Sequence, residues 1–323
     1  MEQGRFNAYV GLARGGRNGV WRVLAGFLAV AIIWIALGIA IVAAGVALFV
    51  ARSGGRTDSI DAVFATLDYQ ALAADPLFSG TVLLSFAGIW AGVWLVMPIL
   101  HRRSVRDLFG VERRVLWSDF LRASLVTFIV GLIAIPFFLL VDPTVQRGHI
   151  SLSGWLIAAV PLMVCCFVQT SAEEILFRGY LHQTLAARYA TPVVWLGVPT
   201  ILFTVLHWES EASSAINLSV LATIGVFALS MSYLLIKTGN LAAAMGAHFG
   251  NNVGAFLLFS SQPGFNGGVL FTGRSIREAG WTLEQGLMLG VIGVGTILVA
   301  QMLLVHPASP VRLRSLSRPR PLG

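Results

Sequence analysis

The chain has 323 residues, of which 56% are hydrophobic and 11% are charged, and its mean hydropathy is +0.79. Soluble globular proteins carry about 25% charged residues, so this composition excludes an ordinary water-soluble domain. The net charge of +7 does not indicate nucleic-acid binding, because basic loops that face anionic lipid explain it in so apolar a chain. We expect an integral, multi-pass membrane protein that contacts the lipid bilayer and no nucleic acid.

Residues 1–22 precede the first apolar segment and are rich in glycine and arginine, which predicts a flexible basic tail. The apolar segment that follows, at about residues 23–50, is too long for the apolar region of a signal peptide. We interpret it as a retained helix. At the other end of the chain, residues 306–323 alternate Arg, Ser and Pro and predict a second flexible basic tail.

Apolar segments of membrane length recur between the two tails and predict an all-α bundle of about eight transmembrane helices. After the first, they lie at about residues 77–100, 120–141, 155–171, 193–206, 215–236, 241–259 and 283–305. No soluble domain or tandem repeat interrupts them, so residues 23–305 are expected to form a single membrane domain.

The distribution of Lys and Arg over the connections predicts the orientation. With eight helices, 17 of the 22 basic residues fall on one side of the membrane. The positive-inside rule places that side in the cytoplasm. Both termini are therefore expected to be cytoplasmic.

Two acidic residues lie inside an apolar segment, Glu173 and Glu174, in the sequence SAEEILFRGYLHQ. A charged side chain at mid-membrane costs about 2.5 to 3.5 kcal/mol, so both need a partner or a function. Arg178 follows Glu174 by four residues, the spacing and order of a helical ion pair. Glu174 is therefore expected to pair with Arg178, which leaves Glu173 free to face other helices. A buried ion pair that only orients helices is the structural alternative.

Two histidines lie in later apolar segments. In the fifth segment, His207 follows Phe203 by one helical turn in FTVLH. In the seventh segment, His248 precedes Asn252 by one turn in GAHFGNN. Each pair alone could merely form hydrogen bonds between helices. With the glutamates, however, they supply a base for water, imidazoles to orient it and an amide to stabilise an oxyanion, which are the groups that peptide hydrolysis needs.

The seventh segment also carries small residues spaced by four, at Ala242, Gly246, Gly250 and Gly254. They fall on the side of the helix opposite His248. Such a ridge allows a neighbouring backbone to approach closely. We expect this helix to pack by one face and to present its polar residues on the other.

The sequence lacks the motifs of other protease classes. There is no H-E-x-x-H of a zinc protease, no G-x-S-x-G of a serine enzyme and no aspartate in an apolar segment. A proton-coupled transporter is an alternative, since Glu and His chains also form proton relays. Paired halves with a broken helix in each, typical of transporters, are not visible in the sequence. A non-catalytic membrane scaffold, or a peptide-binding or immunity protein, is the other alternative.

The three motifs resemble those of the CAAX protease and bacteriocin-processing family, which includes the Ras-converting CAAX endopeptidases. The family pattern is E-E-x-x-x-R, then F-x-x-x-H, then H-x-x-x-N or D, on successive membrane helices. The resemblance covers about residues 155–260, a protease-like core. The matching residues are Glu173, Glu174, Arg178, Phe203, His207, His248 and Asn252.

The resemblance implies an intramembrane endopeptidase in which Glu173 activates water with help from His207. His248 and Asn252 would form the oxyanion site. The substrate would be a membrane-associated peptide or a protein, with or without a lipid anchor. We expect the protein in the inner membrane of a bacterium; the sequence does not predict an oligomeric state.

In the same resemblance, Glu174 and Arg178 are supporting residues. Family members have been described both as metal-dependent and as metal-free enzymes. Glu173, His207 and His248 would be the ligands if a metal such as zinc were present, but neither their spacing nor a cysteine ligand demands one. We favour metal-free hydrolysis with no cofactor.

Overall fold

The computed structural model describes residues 2–262 and 266–317, and these residues form a helical bundle. The α-helices in chain order are α1 (Glu2–Arg14), α2 (Val20–Arg52), α3 (Ile60–Thr66), α4 (Tyr69–Ala73), α5 (Pro76–Leu84), α6 (Ala87–His101), α7 (Trp117–Val141), α8 (Leu152–Glu174), α9 (Gln183–Arg188), α10 (Val198–Val205), α11 (Ser214–Thr238), α12 (Ala242–Val253), α13 (Leu283–Val305) and α14 (Arg314–Ser317). A 3-10 helix spans Val105–Leu108, and π-helical stretches span Ile175–His182, Val193–Gly197 and Gly254–Leu258.

Six helical segments in the described part of the chain are long and apolar enough to cross a membrane, which confirms a polytopic helical bundle. Several of the elements above join end to end within them. The six segments are Val20–Arg52, Pro76–His101, Trp117–Val141, Leu152–Arg188, Ser214–Thr238 and Leu283–Val305.

The other two of the eight predicted segments are helical but shorter. The fifth forms the apolar helix Val193–Val205, whose first turns are π-helical and whose α-helical part carries Pro199 near its start. The seventh is α12 followed by the π-helical stretch that ends at Leu258. His207 lies just after the end of the first of these short helices, and His248 lies in the middle of the second.

The close packing expected of α12 occurs against α7. A Cβ atom on Gly246 would lie 2.2 Å from the carbonyl oxygen of Phe120, and one on Gly250 would lie 2.1 Å from that of Ser124. Only glycine therefore allows the two backbones to approach so closely. Gly254, the last residue of the predicted ridge, has open space around it. The contact with α7 turns the opposite face of α12 towards α8 and α11.

The N-terminal residues differ from the flexible tail that their composition predicts. They form α1, whose Tyr9 side chain is fully buried in the main hydrophobic core with Val10. The Tyr9 hydroxyl donates to the backbone carbonyls of Leu108 and Arg178. Tertiary contacts that composition does not reveal thus order this polar, glycine-containing segment. Residue 1 lies outside the described residues.

The C-terminal tail is also partly ordered, contrary to its composition. Leu313 is fully buried in the same core, and the carboxylate of Asp119 accepts hydrogen bonds from the backbone N–H groups of Arg314 and Ser315. The Arg5 guanidinium donates to the Ser315 carbonyl, so both ends of the described chain meet at one end of the bundle. Residues 318–323 of the predicted tail lie outside the described residues.

A small three-stranded sheet lies at the opposite end of the otherwise helical bundle. It consists of β1 (Val145–Arg147), β2 (Phe259–Ser260) and β3 (Phe271–Gly273). β3 pairs antiparallel with β1 and parallel with β2. The sheet joins the α7–α8 connection to the connection that precedes α13.

Candidate active site

All three helices that carry the sequence motifs contain π-helical backbone. Glu173 and Glu174 are the last residues of α8, and the chain continues directly into the π-helical stretch that contains Arg178. The helices that carry His207 and His248 contain such stretches as well. A π-helical turn is rare and occurs mostly where function requires it, because its hydrogen bonding is less favourable than that of an α-helix.

Glu174 and Arg178 form a fully enclosed ion pair. Glu174 is 0% exposed, and its Oε1 accepts a hydrogen bond from Arg178 Nη1 at 3.1 Å. Arg178 Nη2 donates to the carbonyl of Ala228 at 3.3 Å, and the guanidinium lies 4.4 Å from the centre of the Phe203 ring. Both charges thus have partners, which buried ions require. The pairing agrees with the four-residue spacing in the sequence.

His248 connects the two glutamates. Its Nδ1 lies 2.8 Å from Glu174 Oε1, and because a carboxylate only accepts, Nδ1 is the donor. Its Nε2 lies 3.5 Å from Glu173 Oε2. The contact of His248 with Glu174 is not predicted from the sequence, because it joins two different helices. His248 is held by one carboxylate and faces the other.

Glu173 is the less enclosed of the two carboxylates. It is 8% exposed, it has no arginine contact in its own turn, and its Oε2 has no hydrogen-bond partner among the described residues. Glu174 Oε2 also lacks a partner there, but that residue has no exposed surface and is already paired with Arg178. Part of the Glu173 side chain therefore remains exposed, whereas Glu174 has no exposed surface.

Asn252, on α12, forms a hydrogen bond with Gln169 of α8, a residue outside the three sequence motifs. Its Nδ2 donates to Gln169 Oε1 at 2.9 Å, and its Oδ1 accepts from Asn251. Gln169 is buried on α8, one turn before Glu173. A polar amide four residues before a glutamate in an apolar segment is the signal that points to Gln169.

His207 contacts the rest of the cluster through Phe203. Its Nδ1 is 2.7 Å from the Phe203 carbonyl, and the two rings are 4.8 Å apart. The same Phe203 ring lies 6.2 Å from the His248 ring and beneath the Arg178 guanidinium. His207 is half-buried. The Phe203 ring thus contacts both histidines and the arginine of the three motifs.

Glu173, His207 and His248, the residues that would be the ligands if a metal were present, do not form a metal-binding group. The described residues contain no group of three or more His, Cys, Asp or Glu side chains that could hold a metal ion. His207 lies beside Phe203, whereas Glu173 and His248 face each other. Zinc coordination by these three residues does not fit this geometry.

A comparison with protein-family models matches residues 154–254 to the family described as type II CAAX prenyl endopeptidase Rce1-like. Residues 154–254 thus match the model of an Rce1-like domain. The domain contains every residue of the polar cluster, from Gln169 to Asn252. The match, together with the long apolar helices, supports a CAAX-type intramembrane protease in general.

Among curated proteins, the chain is similar to YyaK of Bacillus subtilis (strain 168), which is described as an uncharacterized protein. The two are 28% identical over 239 residues, which cover 70% of this chain and 78% of YyaK. The similarity thus extends well beyond the Rce1-like domain. No solved structure matches the chain.

Proposed function

We propose that the chain is an intramembrane endopeptidase that cleaves a membrane-associated peptide or protein with water activated by Glu173. The observation that carries the proposal is the Glu173 Oε2 atom, which has no hydrogen-bond partner among the described residues and lies 3.5 Å from His248 Nε2. The general class rests on the Rce1-like domain.

In the first step, the Glu173 carboxylate takes a proton from water while the oxygen of that water attacks the carbonyl carbon of the scissile peptide bond. General-base catalysis of this kind contributes about 10²- to 10⁴-fold to a rate. We assign the orientation of this water to His207, which reaches the cluster through the Phe203 ring. In the second step, Glu173 returns the proton to the leaving amine, which balances the reaction.

The negative charge that develops on the carbonyl oxygen needs donors. His248 Nε2 supplies one when the ring is protonated, since both ring nitrogens then carry hydrogen. Asn252 Nδ2 has a second hydrogen beyond the one that it donates to Gln169. Donors fixed in advance in a water-poor site are typically worth about 10²- to 10³-fold each. Glu174 and Arg178 hold the histidine in place.

The substrate class follows from the surroundings. The cluster lies among membrane helices, so the substrate reaches it from the lipid or from the membrane surface. We propose the inner membrane of a bacterium as the location, with both termini in the cytoplasm, because the connections on that side carry most of the basic residues.

The test is cleavage by the purified chain in liposomes, assayed with a library of fluorogenic membrane peptides. Glu173→Gln keeps the shape of the side chain and removes the base, and we expect activity to fall by at least about 100-fold. Glu284→Gln is the matched control, since Glu284 is exposed at the start of α13. Undiminished cleavage by Glu173→Gln would overturn the role of Glu173.

Two further arms of the assay separate the alternatives. Peptide binding without cleavage by the native chain would assign a binding or scaffold role. Activity that a chelator abolishes and added zinc restores would overturn the metal-free step.

A further inference from the structure

A cavity of about 460 Å³ lies where α6 ends and the chain crosses to α7. Aromatic and proline side chains form one wall, and arginines form the other. We call it the arginine pocket; the residues that matter are Trp90, Trp94, Arg103, Arg106, Arg113 and Arg114. None of the six belongs to the proposed catalytic cluster.

The arginine pocket has an excess of positive charge. Four arginines line it, and the carboxylate close to them is Asp107, which lies 3.0 Å from Arg113 and 3.9 Å from Arg103. Arg106 and Arg114 are exposed, and neither forms an ion pair with a described residue. The pocket therefore retains cations that an incoming anion can neutralise.

Arg103 gives the pocket a built binding group. The residue is 7% exposed, and its Nη2 donates to Gln183 Oε1. Its Nη1 is buried and has no acceptor within the described residues. Burial lowers the pKa of Arg103, while Asp107 opposes that effect, so the charged form is only partly compensated. An anion in the pocket would be attracted by this incompletely paired guanidinium.

The pocket lies at the level of lipid headgroups. The segment that ends at His101 and the one that begins at Trp117 both cross the membrane, so the chain between them lies at one membrane surface. Trp94 is 65% exposed about two turns before the end of α6, as aromatic side chains at the interface often are. Leu95 and Ile99 beside it are also exposed and continue the apolar surface towards the bilayer.

We propose that the arginine pocket binds the phosphate group of an anionic membrane phospholipid, with the proximal acyl chain against Trp94. Basic pockets between membrane helices at a charged leaflet bind such headgroups, and the planar guanidinium of Arg matches phosphate oxygens in pairs. The apolar wall selects a lipid over a free phosphate ion. This site is separate from peptide hydrolysis, and its test does not depend on any catalytic activity.

The experiment uses tryptophan fluorescence of the full chain in phosphatidylcholine vesicles. Phosphatidylglycerol brominated on its acyl chains is the probe, because bromine quenches tryptophans that it contacts, and brominated phosphatidylcholine is the reference. We expect more quenching by the anionic probe, and Trp94→Phe should remove most of that excess. Each arginine strengthens binding about five-fold, so the Arg106→Gln, Arg114→Gln double variant should bind about 25-fold more weakly.

Arg188→Gln is the matched control. Arg188 is exposed near the same membrane surface but outside the pocket. If Arg188→Gln weakens the anionic excess as much as the double variant does, the charge effect is general and the site is overturned. Equal quenching by the two lipids would also overturn it. Displacement of the probe by inorganic phosphate at matched ionic strength would assign the pocket to free phosphate and overturn the lipid assignment.

Discussion

His248 reaches both glutamates of the motif with different ring nitrogens, Nδ1 to Glu174 at 2.8 Å and Nε2 towards Glu173 at 3.5 Å. The hydrogen bond at Nδ1 fixes the orientation and the tautomer of the ring, as second-sphere carboxylates do for functional histidines. Glu174 therefore acts on the site through His248, while Arg178 balances its charge. The two adjacent glutamates thus differ in their contacts: Glu174 binds Arg178 and His248, whereas Glu173 only faces His248.

Glu174→Gln is expected to destabilise the protein much more than Glu173→Gln. The first change leaves the buried Arg178 guanidinium without its carboxylate, and loss of one partner from a buried pair costs about 3 to 5 kcal/mol. The second leaves the pair intact. Thermal unfolding of both purified variants in the same detergent measures the difference. Equal unfolding temperatures would contradict the assigned division between the two residues.

Gln169→Met is expected to lower kcat in the same direction as Asn252→Ala, because Gln169 positions the Asn252 amide. Loss of an oxyanion donor costs about 10²- to 10³-fold, and loss of its positioning partner should cost less. The double variant should be no slower than Asn252→Ala alone, since residues that share one network are not additive. If the fold reduction in kcat of the double variant equals the product of the two single-variant reductions, Gln169 acts independently of Asn252.

Gly246→Ala is expected to destabilise the bundle, because the new methyl group would meet the Phe120 carbonyl oxygen 2.2 Å away. Overpacking of this kind costs about 1 to 3 kcal/mol. Gly254→Ala is the matched control, since no atom lies within 4 Å of its added Cβ and alanine favours helix by about 0.5 to 1 kcal/mol. Unfolding measurements on the pair should therefore give opposite signs. A shared sign would contradict the close packing of α12 on α7.

Tyr9→Phe is expected to weaken the docking of α1. It removes the hydroxyl that donates to the Leu108 and Arg178 carbonyls, at a cost of about 1 to 3 kcal/mol. Burial raises the pKa of Tyr9 above its usual value, and nearby Arg103 opposes the rise.

The pH dependence gives that prediction a second measurement. A raised pKa in the folded protein means that the contribution of neutral Tyr9 is complete below about pH 10 and is lost as the pH rises further. Between about pH 8 and pH 11, the native chain should lose more stability than the Tyr9→Phe variant. Parallel losses would show that Tyr9 does not ionise on unfolding.

The sequence predicts the long helices well because a membrane-spanning helix needs a long apolar segment, which hydropathy alone identifies. The first was expected at residues 23–50 and spans Val20–Arg52. Hydropathy does not predict α1, because its sequence is polar. The helix is stabilised by tertiary packing, in which Tyr9 and Val10 are buried in the main hydrophobic core. Hydropathy also does not predict the π-helical stretches, such as Val193–Gly197 in the helix that precedes His207, since π-helical backbone has no periodic signal in sequence.

Local spacing likewise predicts part of the site. The contact between Glu174 and Arg178 lies within one helix, so a four-residue spacing reveals it. The contacts of His248 with Glu174 and of Asn252 with Gln169 join different helices. Such pairs depend on the rotation of α12 about its axis, which its packing on α7 sets. The spacing of residues within a single helix carries no information about that rotation.

The proposed orientation predicts the accessibility of two engineered cysteines. Three long helices separate residue 65 from residue 190, so we expect these positions on opposite sides of the membrane. Both shorter helices follow residue 190, so this expectation does not depend on whether they cross the membrane. Ala65→Cys and Ala190→Cys are matched changes at exposed alanines, made after Cys165 and Cys166 are replaced by alanine.

A membrane-impermeant maleimide should label Ala65→Cys in intact cells and Ala190→Cys only after permeabilisation, because residue 190 lies on the basic side. The reverse pattern would invert the orientation and place the termini outside. Labelling of both from one side would contradict the number of helices between them. The unmodified chain, whose cysteines lie within α8, should remain unlabelled in intact cells and provides the baseline.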